Sequence, residues 1–147
     1  MRVRGAGMII RDGKMLVLAY DYPKGRVLAI PGGGVHEGET LAESVCREFA
    51  EELGLTVRIG DLRYVGDMMA QPKIPQTVHV VFDAEIVAGE PVLNRNETSA
   101  AEVLWLDLAE LGSVRLYPAI NEAIQADLEK AQADTRYLGD CQRREWA

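Results

Sequence analysis

An α/β fold, with a mixed sheet sandwiched between helices, is what this chain predicts, and three features predict it. Strand-like segments recur along most of its length, two stretches instead carry apolar residues at helical spacing, and Asp12-Gly13 between apolar runs marks a tight hairpin near the start. With 147 residues, 48% apolar and 27% charged, the composition is that of one globular domain, 1–147, whose core needs no staples. No repeat, low-complexity linker or second-domain boundary interrupts it.

Met8–Arg11 and Lys14–Ala19 flank the hairpin turn. Residues 20–26, with Pro23 and Gly25, read as a loop, and Val27–Ile30 as a short strand stopped by Pro31. Arg58–Val65 and Thr77–Ile86 are further strands, joined by a loop with Pro72 and Pro75. Val78–Phe82 is continuous enough in apolar character to suit a strand covered on both faces, and Val103–Leu106 is another short strand. The principal helix starts after Thr40, which forms a capping box with Glu43, and stops at Gly54. Ala42, Val45, Cys46, Phe49 and Leu53 share its sheet-facing side, while Glu48, Glu51 and Glu52 lie opposite. A second helix is expected from about Pro118, near its N1 position, to about Ala133, with Ile120, Ile124 and Leu128 at i+4 steps. The polar tail, 134–147, is expected either to fray or to form an interface.

The formal charge of −7 argues against a partner that is polymeric nucleic acid, which needs a basic surface. It leaves small phosphorylated ligands open, because a bound metal inverts the field of an acidic site. No apolar run is long enough for a bilayer, so no membrane partner is expected. The start Met1–Gly5 lacks the apolar run of a secretion signal, and Cys46 and Cys141 form neither a metal spacing nor a disulfide framework. The cytoplasm is the expected compartment.

Residues 33–55 put six glutamates and one arginine into 23 positions. Such crowding destabilises through like-charge repulsion unless cations occupy the space between the carboxylates. A solvated acidic face is the plainer reading of any acidic helix. Here alternating lysines are missing, Glu48, Glu51 and Glu52 cluster in one turn, and a glycine run precedes them, which together favour a site for Mg2+ or Mn2+. No cysteine or histidine cluster argues for zinc. Gly32, Gly33 and Gly34 are followed by no Gly-Lys-Ser/Thr, so a Walker loop is absent; they are expected to bend the backbone and aim a carbonyl at a cation. Arg47 is expected to clamp Glu51 and Glu39. Cys46 is expected to be a buried, inert thiol.

The spacing G-x5-E-x7-R-E-φ-x-E-E-x-G-φ (φ apolar), running from Gly33 to Leu55, is matched at every fixed position and closely resembles the signature of the Nudix hydrolase family, MutT-like and ADP-ribose pyrophosphatase-like proteins included. The resemblance implies a Nudix-type α/β/α sandwich. It also implies metal ligation by Glu48, Glu51, Glu52 and the carbonyl of Gly32, with Glu39 and Arg47 as a structural bridge. The general base is then either a motif glutamate, Glu48 or its partner Glu52, or a loop glutamate, for which Glu97 is the candidate and Glu102 a weaker one. The implied reaction is metal-dependent hydrolysis of the pyrophosphate linkage in a nucleoside diphosphate derivative such as ADP-ribose or an ADP-sugar. Pro72, 17 residues after Leu55, loosely resembles a proline of ADP-ribose hydrolases. Nucleoside triphosphate pyrophosphohydrolysis is the alternative, and a noncatalytic nucleotide-binding module a third reading.

Leu28 stands near a position where many relatives carry tryptophan, which weakens any carry-over of the substrate pocket. Leu116 and Tyr117 are candidates for stacking on a base, and Tyr20, Tyr22, Met68 and Met69 are expected near the ligand side. His36 and His79 are expected to be local hydrogen-bonding residues. A homodimer is expected, with the alternation Val3, Gly5, Gly7 as an available strand edge.

Overall fold

A computed structural model describes residues 1–141. Its strands are β1 (Arg2–Met8), β2 (Ile10–Arg11), β3 (Lys14–Tyr22), β4 (Gly25–Ala29), β5 (Gly32–Gly34), β6 (Thr56–Met68), β7 (Thr77–Ala88), β8 (Glu102–Asp107), β9 (Leu116–Tyr117) and β10 (Arg136–Asp140). The helices are α1 (Leu41–Leu53) and α2 (Asn121–Leu128), with a 3-10 turn over Leu108–Ser113. One sheet runs β10-β6-β7-β1-β5; β1 is parallel to β7 and antiparallel to β5, β6 antiparallel to β7 and parallel to β10. The second is built around β3, which pairs antiparallel with β2, β4 and β8, while β9 joins β4 in parallel. The mixed-sheet α/β sandwich is therefore observed.

The layering follows from alternation along β3. Leu16 and Leu18 face α1 and pack with Val45, Phe49 and Leu53, whereas Met15, Val17 and Ala19 face the other way, with Leu28, Val81, Ile120 and Ile124. Each large apolar side chain buried in this way stabilises the fold by about 2 kcal/mol. The capping box at Thr40 and Glu43 is present, and Gly54, at φ 66°, ends α1 in the left-handed region. Asp12 and Gly13 also take positive φ, as the two-residue hairpin requires.

Several expectations change. The loop expected over residues 20–26 is a tight turn, because β3 and β4 continue to Tyr22 and Gly25, joined across the strands by the Asp21–Arg26 ion pair at 2.7 Å. The helix expected from Pro118 begins only at Asn121, whose Nδ2 donates to the carbonyls of Leu111 and Val114, and it ends at Leu128. Lys130 N–H then bonds to Asp127 O and turns the chain back toward β6. Within the expected tail, Arg136–Asp140 pairs with β6; positions 142–147 lie outside the described residues. Gly5 and Gly7 offer no open edge, since β1 lies between β7 and β5. They let α1 approach: a Cβ on Gly7 would sit 2.8 Å from Phe49 Cε2, and one on Gly5 3.1 Å from Val45 Cγ2. Cys46 is partly buried, its thiol directed to Val57 O. Among the described residues no helix is long and apolar enough to cross a membrane.

Candidate functional site

Where the two sheets and the acidic side of α1 meet, a cavity of about 640 Å³ opens. Glu48 and Glu52 come from α1, the glycines from β5, Arg2 and Arg4 from β1, Tyr20 and Tyr22 from β3, and Tyr117 from β9. Met68 at the end of β6, with Gln71 and Ile74 from the β6–β7 connection, closes it.

The glycine run is straight where a bend was expected. Gly32–Gly34 is an extended edge strand, register-paired with Arg4–Ala6, and none of its residues has positive φ. Glycine is needed for space. A Cβ on Gly32 would fall 2.7 Å from Ala6 Cα, and one on Gly33 would fall on the Glu48 carboxylate, 2.5 Å from its Cδ. The side-chain-free surface of β5 is what lets Glu48 lie flat against the sheet.

Arg47 organises the acids. Its Nε and Nη2 donate to the two oxygens of Glu39 at 3.0 and 2.8 Å, Nη1 reaches Glu48 at 2.9 Å and Glu51 at 3.2 Å, and Nη2 also meets Gly34 O at 3.0 Å. The expected grip on Glu39 and Glu51 is present, and it extends to Glu48 and to β5. Arg47, joined by the His36 backbone N–H, holds the Glu39 carboxyl down at about 2. His36 thus takes part through its backbone.

Glu48 and Glu52, one turn apart, form a coupled pair. Burial, and then hydrogen bonding and charge from Glu48, push the Glu52 carboxyl up to about 8. Both carboxyl groups stand on the same cavity wall, where a divalent cation would draw on the pair. Among the described residues no three acidic, histidine or cysteine side chains are arranged to hold a metal ion by themselves. Of the expected set, Gly32, Glu48 and Glu52 line the cavity, and Glu51 shares Arg47 Nη1 with Glu48. The paired oxygens of Glu48 and Glu52 fit a hard, mostly water-ligated cation such as Mg2+, which needs only one or two carboxylates.

Glu97 lies outside the cavity lining, exposed in a turn whose N–H bonds to Asn94 O; Asn94 N–H in turn bonds to Glu52 O at the end of α1. Next to it, the Thr98 hydroxyl meets Tyr20 Oη at 3.3 Å. Glu102 pairs with Arg26 at 3.4 Å. Of the apolar and aromatic candidates, Tyr20, Tyr22, Met68 and Tyr117 line the cavity, whereas Leu116 is core and Met69 faces solvent. Leu28 is buried in the core and leaves the wall to Val27 and Ala29. His79 is not a hydrogen-bonding residue as expected: both ring nitrogens are buried without a partner, beside Tyr117 at 5.0 Å between ring centroids. Arg2 and Arg4 were not singled out from the sequence. Their signal was there, two arginines two apart in an otherwise apolar strand and hence on one face.

The fold and the acidic cleft define a mixed-sheet α/β sandwich built around a carboxylate pair suited to phosphate-bound cations. The chain belongs to the Nudix hydrolase family, whose members act on phosphoric anhydride bonds: the NUDIX domain model matches residues 1–127. It is 35% identical over 95 residues to the NAD-capped RNA hydrolase NudC of Klebsiella pneumoniae subsp. pneumoniae, covering 64% of this chain and 35% of that one. It is 33% identical over 85 residues to an ADP-ribose pyrophosphatase of Methanocaldococcus jannaschii, covering 57% and 50%. The chain thus spans half or less of the length of these two relatives. Among solved structures, a MutT NUDIX hydrolase from Burkholderia pseudomallei superposes with a TM-score of 0.69 at 27% identity, over 89% of this chain and 98% of that one.

Proposed function

We propose that the cavity hydrolyses the pyrophosphate linkage of a nucleoside diphosphate derivative, ADP-ribose or an ADP-sugar, with Mg2+ as cofactor and Mn2+ as its substitute. The observation that carries this reading is the Glu48–Glu52 carboxylate pair on the wall of a cavity that also offers aromatic side chains to a nucleoside. Glu48 and Glu52 would hold such a cation, which would supply charge neutralisation on the phosphate oxygens and a lowered pKa for water. Arg47 orients Glu48 and locks Glu39 against β5, so the carboxylates are arranged before substrate arrives. Tyr20, Tyr22 and Tyr117 offer faces to the base, the first two stacked with centroids 6.4 Å apart. The role of general base goes to the Glu48–Glu52 pair ahead of Glu97, because Glu97 stands outside the lining. The relative from M. jannaschii, named an ADP-ribose pyrophosphatase, supports the substrate class.

Nucleoside triphosphate pyrophosphohydrolysis has one observation on its side: Arg2 and Arg4 on the cavity wall offer cations to a longer phosphate chain. A panel of ADP-ribose, ADP-sugars, dinucleoside polyphosphates and the individual triphosphates, assayed with Mg2+ and Mn2+, separates the two. Fastest turnover of ADP-ribose or an ADP-sugar supports the first reading, and preference for triphosphates replaces it with the second. Nucleotide affinity without any metal-dependent turnover marks a noncatalytic binding module.

A further inference from the structure

The chemistry of the carboxylate pair leaves Arg4 without a task. Its side chain lines the cavity, yet the residue is only 7% exposed. Nη2 donates to Ile30 O at 2.8 Å, and the guanidinium lies 5.0 Å from the centroid of the Tyr117 ring, so its orientation is held from two sides. Nη1, equally buried, has no hydrogen-bond partner, and none of the described residues forms an ion pair with Arg4. His79, its register partner on β7, carries no negative charge, and neither of its ring nitrogens is hydrogen-bonded to Arg4.

A buried guanidinium with a free donor and no counter-ion is costly, and native structures keep such groups where something else completes them. Of the nearby acids, Glu48 is already held by Arg47 at 2.9 Å, and Glu52, whose charge is felt at Arg4, makes no hydrogen bond or ion pair with it. The missing partner is therefore an anion brought in by the ligand. A base carbonyl would satisfy Nη1 and leave the charge uncompensated, whereas a phosphoryl oxygen answers both at once. We propose that Arg4 receives a non-bridging phosphoryl oxygen of the substrate's phosphate chain, opposite the face of that chain presented to Glu48 and Glu52. This rests on the reading of the cavity as a pyrophosphate hydrolase site, and it makes Arg4 a substrate-binding residue outside the acidic signature.

The test is calorimetric titration of methylenediphosphonate, a pyrophosphate analogue that resists hydrolysis, with Mg2+ present, into the wild type and Arg4→Gln. The expected result is at least about 30-fold weaker binding to the variant, the scale of one charge-assisted hydrogen bond. Unchanged affinity in a variant with a native circular dichroism spectrum overturns the assignment. If Arg4→Gln does not fold, Arg4→Met, whose unbranched apolar side chain suits the buried position, carries the same comparison. Turnover of the nucleotide panel by the wild type reports separately on the hydrolase reading. Turnover together with binding indifferent to Arg4 removes Arg4 alone. Binding that depends on Arg4 without any turnover removes the hydrolase reading and leaves Arg4 in place.

Discussion

Gly33 and Glu48 occupy complementary space: the position a Cβ would take on Gly33 lies 2.5 Å from Glu48 Cδ. The strand and the helix carboxylate fit together only because one of them has no side chain. Gly33→Ala is therefore expected to displace the Glu48 carboxylate and lower turnover about 100-fold, on the scale of losing one electrostatic catalytic contact. Gly34→Ala is the contrast, since a Cβ there meets nothing nearer than Arg2 Nε at 3.6 Å. Steady-state kinetics on the best panel substrate compare the two, and equal activities would remove the steric argument.

Glu52→Gln preserves size and the capped helix while removing a carboxyl group able to ligate a cation beside Glu48. Weaker Mg2+ binding and at least about a 100-fold loss of turnover are expected, with the domain still folded. Glu43→Gln alters the same helix but keeps an oxygen for the Thr40 N–H, and it should leave turnover within a few-fold of the wild type. Metal titration and kinetics on both proteins reveal the order; the reverse order would mean that the functional face of α1 has been misassigned.

His79 makes stability depend on pH. Burial, then Arg4 and Arg2, lower its imidazole to about 3 in the folded state, from 6.5 when unfolded. The unfolded chain thus takes up a proton that the folded chain refuses. The stabilisation is complete above pH 6.5 and is lost as pH falls toward 3, by about 1.4 kcal/mol per unit at most. The change in urea unfolding free energy from pH 7.5 to pH 5 should be about 2 kcal/mol more unfavourable in the wild type than in His79→Leu, a comparison in which the opposing titration of Glu52 cancels. Parallel pH dependence in both proteins would exonerate His79.

Asp127 ties α2 to β6 and β10. It accepts a 2.6 Å hydrogen bond from Tyr64 Oη, and Arg136, Lys130 and Arg63 lie within 3.2 to 3.5 Å. Burial works to raise its pKa, but the hydrogen bonds from Tyr64, Lys130 and Arg136 prevail and bring it to about 2. Its contribution is present above pH 3.8 and lost as pH falls through 2. Asp127→Ala leaves those cations around an empty place and is expected to cost about 3 kcal/mol, read as a lower urea midpoint at neutral pH. A midpoint unchanged from the wild type would show that the cluster is dispensable.

By itself the sequence determined what depends on near neighbours in the chain. Thr40, Glu43 and Gly54 delimit α1, Asp12-Gly13 makes the hairpin, and the helical period sets Glu48 and Glu52 against Val45, Phe49 and Leu53. These are local effects of dihedral preference, capping and periodicity. Which chain segments approach one another was decided only by the tertiary structure. Gly32–Gly34 looked like a bend and is a strand, because its constraint comes from Gly5, Ala6 and Glu48, distant in sequence. Strand β10 was hidden in a polar tail because its pairing with β6 is non-local. The Arg47 guanidinium spans Glu39, Glu48, Glu51 and Gly34 O, and its reach from α1 to β5 is a tertiary contact that the helical period alone does not set. Arg4 stayed unremarked in a strand of small and apolar residues, for its burial depends on Ile30, His79 and Tyr117, none of which adjoins it along the chain.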